Sequence, residues 1–247
     1  MYPDKTFGVI GGRFQGWHKG HQDNIDAIRE CGLTPIIFVS TGVKEGDCYS
    51  FDQIATMIQL VNPELSTKGT PPNIIHYPNP ARNFEEWVDE TAGLYDEHGL
   101  TPDNTMLFSV INYDTYKDDI FDATYKGRTI KDTYYSEAFA KFKGYDTHVI
   151  DKRERERSGR LAREDFATHR DMFHPSVEQY IVSEFAKAVL NNRPVGADQS
   201  NDVPFTDGTV RLEALEHSGI SLGEYQIKLL KEGKADSFDR FTPPTRS

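Results

Sequence analysis

A parallel β-sheet flanked by helices, an α/β fold of about five strands, is what this sequence predicts, on three observations. Short, largely apolar runs recur at Phe7–Ile10, Pro35–Thr41, Ile74–Tyr77, Thr105–Val110 and Tyr145–Ile150. Ile36, Ile37, Phe38 and Val39 are continuously apolar rather than alternating, which suits a strand covered on both faces. Stretches of helical period stand between several of these runs, so strands and helices alternate along the chain.

The first run ends in Gly11-Gly12-Arg13-Phe14-Gln15-Gly16-Trp17-His18-Lys19-Gly20-His21. Gly11 and Gly12 are read as a turn that lets a ligand approach the backbone. From His21 the pattern becomes helical, with Ile25 and Ile28 on one face. His18 and His21 therefore fall at a helix N-terminus, whose unpaired N–H groups and positive dipole end suit phosphate. Imidazoles placed there donate to phosphate oxygens as charge develops. Two histidines three apart also arise by chance, so a metal site and a plain surface turn stand as alternatives.

The second strand, ending in Thr41, leads through a polar loop, 43–49, to Ser50 and Gln53, a capping-box pair. They open a helix with Ile54, Met57, Ile58 and Val61 on its apolar face. Pro63 and Pro71-Pro72 break the chain before the third strand. Asn83 then caps a helix with Glu86 at its third position and Phe84, Trp87, Val88, Thr91 and Leu94 at helical spacing. Periodicity alone assigns Trp87 to the core.

The fourth strand runs into Asn112-Tyr113-Asp114. Asp114 stands at the carboxyl end of a parallel strand, where such sheets place ligand contacts, although a turn-forming Asp is the commoner explanation. Residues 116–143 show no clean period and read as short helices and loops, with Ser136–Lys143 as one helix. After the fifth strand comes a mixed charge run in which Ser158-Gly159 precedes Leu161 and Arg163. A serine hydroxyl, free N–H groups and an arginine one turn on converge on an anion. The plain alternative is a solvated charged helix. Pro175 then fits a first helical position, with Val177, Ile181, Phe185 and Ala188 as a packing stripe.

On these residues the chain resembles the nucleotidyltransferase superfamily that carries an H-x-G-H signature. The string G-R-F-Q-x-x-H-K-G-H is most similar to archaeal-type nicotinamide-mononucleotide adenylyltransferases. It departs at Gly16-Trp17, where relatives carry proline followed by phenylalanine or an equivalent, a change read as one of turn stiffness. Ser158 and Arg163 match the superfamily's second signature, I-S-x-T-x-x-R, while Arg157 replaces an apolar residue and Arg160 the threonine. Arg160 offers a longer, charged donor in its place.

The resemblance covers roughly residues 6–190. It implies a Rossmann-like, doubly wound nucleotidyltransferase domain over 1–195, while outside it the polar stretch Gly196–Gly208 and the leucines at 212–215 and 222–230 read as a linker with a short helical C-terminal appendage over 196–247. It implies adenylyl transfer from ATP to nicotinamide mononucleotide, with Mg2+ carried by the phosphates. In that reading His18, His21 and Arg163 are catalytic. Gly11, Gly12, Arg13, Phe14, Lys19, Ser158, Gly159 and Arg160 hold the ATP phosphates. Trp87, Arg82, Asn83 and Asp114 hold the acceptor, with Trp87 stacked on the nicotinamide ring as the alternative to core packing. Nucleotidyl transfer to another phosphorylated small molecule, and a non-catalytic nucleotide-binding protein, are the competing readings.

Composition narrows the partners. A net charge of −11 argues against wholesale coating of nucleic acid. Two cysteines, Cys31 and Cys48, make no disulfide framework, and the chain reads as intracellular. No apolar stretch approaches the roughly 20 residues of a spanning helix. The first residues lack a signal-peptide pattern, so no membrane partner and a cytoplasmic location are expected. The C-terminal segment reads either as docked on its own domain or as a subunit contact in a homo-oligomer.

Overall fold

The computed structural model describes residues 2, 4–41, 49–78, 83–111, 120–151 and 169–190. Two compact units interleave along the chain: Met1–Arg13 with Gly20–Val43 and Glu64–Glu156, and Phe14–Lys19 with Lys44–Pro63 and Arg157–Ser247. The expected appendage over 196–247 lies outside the described residues. Among the described residues no helix is long and apolar enough to cross a membrane.

The first unit is a Rossmann-like α/β sheet. In chain order it holds β1 (Phe7–Gly12), α1 (Lys19–Glu30, from Gly20 on), β2 (Thr34–Ser40), β3 (Ile74–Tyr77), α3 (Phe84–Glu97), β4 (Thr105–Ile111), β5 (Phe121–Tyr125), β6 (Arg128–Thr133), α4 (Tyr135–Lys143) and β7 (Asp146–Asp151). Helix α2 (Phe51–Val61) belongs to the second unit. Five strands form one sheet in the order β3-β2-β1-β4-β7, with every pairing parallel. The order reverses between β1 and β4, which makes that boundary the topological switch point.

Alternate residues of a strand face opposite sides, and β1 shows both. Val9 joins Leu107 in a buried cluster with Val88 and Tyr95 of α3 and Phe139 of α4. Gly8 faces α1: a Cβ at Gly8 would sit 2.4 Å from Ile28 Cγ2 and 3.0 Å from Phe108 Cε2. The missing side chain at Gly8 is what lets α1 lie close on the sheet. Helices thus cover both faces, as the apolar run of β2 requires.

Strands β5 and β6 correct the reading of 116–143 as helices and loops. They pair antiparallel as a hairpin, closed by Lys126 and Gly127 at φ 48 and 75. Two successive positive φ values are what a two-residue hairpin turn requires. Asp122 and Thr124 are exposed while Ala123 and Tyr125 are buried, a period of two that the segment's charge had hidden. The expected helix over Ser136–Lys143 is α4, begun one residue earlier.

The hairpin is tied to α3 and α4 through Tyr125. Its hydroxyl donates to Asp89 Oδ1 at 2.5 Å, and Lys143 Nζ donates to the same hydroxyl at 2.8 Å. Lys126 approaches Asp89 to 3.4 Å.

The second unit is built on α2 and α5 (Pro175–Leu190). Ser50 and Gln53 make the expected capping box at the start of α2. Ile54, Met57 and Ile58 of α2 and Val177 and Ile181 of α5 are fully buried or nearly so. Gln53 Nε2 donates to Glu184 Oε2 at 2.7 Å, joining the two helices.

Two consequences are measurable. Gly8→Ala lowers stability by about 1–3 kcal/mol in urea denaturation, because Ile28 is fully buried and has nowhere to retreat. The Tyr125 hydroxyl, and then Lys126 and Lys143, hold the Asp89 carboxyl below its ordinary pKa. A lowered folded pKa stabilises above the unfolded value, about 3.9, and that stability is lost as pH falls through the folded value. Tyr125→Phe therefore lowers the urea midpoint at neutral pH and makes it fall less steeply below about pH 4 than wild type does.

Candidate phosphate-binding site

In the first unit the carboxyl ends of β1 and β4 part. β1 pairs with β2 along its whole length, from Phe7↔Thr34 to Gly12↔Val39. It pairs with β4 only from Phe7↔Thr105 to Val9↔Leu107. Ile10, Gly11 and Gly12 on one side and residues from Phe108 to Ile111 on the other have left the shared ladder. A Cβ built on Gly11 meets nothing within 4 Å, and Gly11 is exposed. A ligand can therefore come directly onto the β1 backbone at the switch point. Arg13 and His21 are partly exposed, Arg13 at the exit of β1 and His21 in the first turn of α1.

Gly11 and Gly12 are not the turn that the sequence predicts. They are the last two residues of β1, paired with Phe38 and Val39. The turn's unusual conformations fall at Phe14, φ 48, and Gly16, φ 82. At φ 82 proline is excluded, so Gly16 sets the path of the backbone and not only its stiffness. A left-handed phenylalanine is a strained backbone that needs its surroundings to hold it.

The second unit supplies that hold. Phe14 is 6% exposed and packs on Trp17, itself 1% exposed, with ring centroids 5.4 Å apart. Gln15 Nε2 donates to the Tyr49 carbonyl at 3.3 Å, and the Tyr49 N–H donates to Gln15 Oε1 at 2.9 Å. A single side chain thus satisfies both backbone groups of a buried residue 34 positions away. His18 is 4% exposed and its backbone bridges Phe173. Lys19, expected to reach phosphate, is exposed and donates through Nζ to the Asp171 carbonyl at 2.7 Å.

Asn83 caps α3 as predicted, its side-chain oxygen accepting from the Glu86 N–H at 2.9 Å. Trp87 is partly buried, with ring centroids 5.7 Å from Phe84, 5.4 Å from Tyr135 and 5.7 Å from Phe139. That group accounts for the helical spacing of Trp87. Tyr135, which the sequence reading did not single out, is 53% exposed at the start of α4. Tyr77 closes β3, and burial raises its pKa above the ordinary phenol value. Neither tyrosine carries a motif, so placement alone marks them.

Arg82, Asp114, Ser158, Gly159, Arg160 and Arg163 lie outside the described residues. Among the described residues no group of three or more His, Cys, Asp or Glu side chains could hold a metal ion.

No family model matches this chain, and no curated protein sequence matches it. Among solved structures, the chain is similar to the Plasmodium falciparum nicotinic acid mononucleotide adenylyltransferase complexed with NaAD, at 17% identity and a TM-score of 0.41, over 72% of this chain and 95% of that one. It is also similar to a bifunctional NMN adenylyltransferase/ADP ribose pyrophosphatase from Francisella tularensis, complexed with AMP and Mn ion, at 16% identity and a TM-score of 0.37. There the similarity covers 95% of this chain and 53% of the other.

The turn yields a direct check. Gly16→Pro costs more than about 1 kcal/mol, read as a lower thermal midpoint, because the observed φ of 82 is closed to proline.

Proposed function

We propose that this protein transfers the adenylyl group of MgATP to nicotinamide mononucleotide, forming NAD and pyrophosphate. The observation that carries the reading is the opened carboxyl end of β1. There a bare glycine backbone leads, through a strained turn, into a helix that begins beside an H-x-G-H string. Backbone amides and a helix start suit a polyphosphate, and the switch point of a parallel sheet is where such a ligand binds.

The chemistry asks little of a base. A phosphate oxygen of the mononucleotide, already ionised at neutral pH, attacks the α-phosphorus of ATP. The new P–O bond forms as the α–β bridging bond breaks, and the electron pair leaves with pyrophosphate. The protein's part is to align the two phosphates and to stabilise the charge that grows between them. His21 serves the α-phosphate, with His18 beside it in sequence. Arg13, Lys19, Ser158, Gly159, Arg160 and Arg163 serve the β- and γ-phosphates. Magnesium arrives as part of MgATP, coordinated by phosphate oxygens and water. Trp87, Arg82, Asn83 and Asp114 are assigned to the acceptor.

Pyrophosphate release, measured with each of several nucleoside triphosphates against phosphorylated acceptors, tests the reading. His21→Ala is expected to lower kcat by about 10²–10³-fold with an unchanged urea midpoint. Gly11→Val fills open space, so it folds as wild type does but raises the KM for ATP. Undiminished turnover in both variants sinks the assignment.

A further inference from the structure

We infer that Gln15 is a positioning residue of the transfer reaction: its side-chain amide locks the turn between β1 and α1, and with it the H-x-G-H string that leaves that turn. The inference rests on the adenylyl-transfer reading and goes beyond it by giving alignment a residue that need touch neither nucleotide.

The turn cannot hold itself. Gln15 stands between Phe14 and Gly16, both at positive φ. Strained backbone of this kind gathers where a site needs a fixed geometry, and it persists only where the surroundings over-determine it. Gln15 is 3% exposed and Tyr49 5%. The Gln15 amide meets the Tyr49 backbone twice, accepting through Oε1 at 2.9 Å and donating through Nε2 at 3.3 Å. Two residues on facing antiparallel strands exchange hydrogen bonds in this reciprocal way; here a side chain takes the place of one backbone. Two bonds fix both the reach of the side chain and the roll of its amide plane.

Other contacts converge on the same turn. A Cβ at Gly16 would come within 3.4 Å of the Phe173 ring and 3.9 Å of Tyr49 Cε2. His18 bridges Phe173 through its backbone. Tyr49 immediately precedes Ser50, the N-cap of α2, so the residue that Gln15 grips is itself tied to a helix start. His18 follows Gln15 by three residues and His21 by six, so the path of the turn sets where the string begins.

The chemistry singles out glutamine. One head group must both give and accept a hydrogen at a single backbone residue, whereas a carboxylate only accepts. Glutamate would keep the Oε1 bond and set its second oxygen against the buried Tyr49 carbonyl. Methionine matches the length and burial with neither hydrogen-bonding group. Asparagine has both groups on a stem one methylene shorter. Packing alone is served by methionine; direction is not. A reaction that uses alignment in place of a base is sensitive to direction, since a misplacement of about 1 Å costs about 100-fold in rate.

Pyrophosphate release by the full chain, with MgATP and nicotinamide mononucleotide, tests this. Gln15→Met is expected to lower kcat by about 10–100-fold while KM for each substrate changes less than about threefold. Gln15→Glu falls at least as far, and Gln15→Asn lies between Gln15→Met and wild type. Gln53→Ala is the control: it cuts the Gln53–Glu184 bond between α2 and α5 in the same unit, lowers the thermal midpoint and leaves kcat as in wild type. Should Gln15→Met not fold, Gln15→Asn carries the same comparison. A wild-type kcat in the folded Gln15 variants, or a loss of rate that follows the thermal midpoint alike in them and in Gln53→Ala, overturns the inference and leaves a structural role, with adenylyl transfer intact. Wild type that releases no pyrophosphate with any phosphorylated acceptor defeats both levels.

Discussion

The parting of β1 from β4 is the constraint on which the rest of the sheet's chemistry depends. Three ladder pairs hold the strands together, ending at Val9↔Leu107, and beyond them each strand goes its own way. Had pairing run on to Gly12, the β1 backbone amides there would be spent on β4. Two opposite surroundings of glycine occur within four residues of this strand. Gly8 is needed because Ile28 leaves no room for a side chain, whereas Gly11 has open space in front of it that a side chain could fill. One closes the helix onto the sheet; the other leaves the backbone open to a ligand.

Strain and its support divide between local and distant residues. Phe14 in the left-handed region costs about 1–3 kcal/mol, which survives only where neighbours leave no alternative. Those neighbours are the buried Trp17 ring, the paired Gln15–Tyr49 hydrogen bonds and the His18–Phe173 bridge. Each joins residues 14–19 to chain far away in sequence or anchors it in a core. A segment so held is preorganised.

The surroundings of α3 follow a different logic. Aromatic packing and the Tyr125–Asp89–Lys143 network hold α3, α4 and the hairpin firmly around Trp87. Within that frame the Tyr77 hydroxyl lies against the Thr91 hydroxyl and the Glu90 carboxyl group.

Local chemistry was written openly in the chain. The five sheet strands, the Ser50–Gln53 box, the Asn83 cap and the proline at the head of α5 each depend on neighbours within a few residues, so pattern alone revealed them. Other features required distant chain to arrive. The β5–β6 hairpin was missed because a lysine, not asparagine or aspartate, takes the first left-handed turn position. Gly11 and Gly12 were misread as a turn because a glycine pair specifies freedom, not which freedom is used; pairing with Phe38 and Val39 chose strand. The role of Gln15 exists only once Tyr49 is beside it, and the Tyr77–Glu90–Thr91 cluster only once β3 lies under α3. Periodicity records which way a side chain points; which partner it meets there, and whether that partner satisfies it, is settled when separate segments pack.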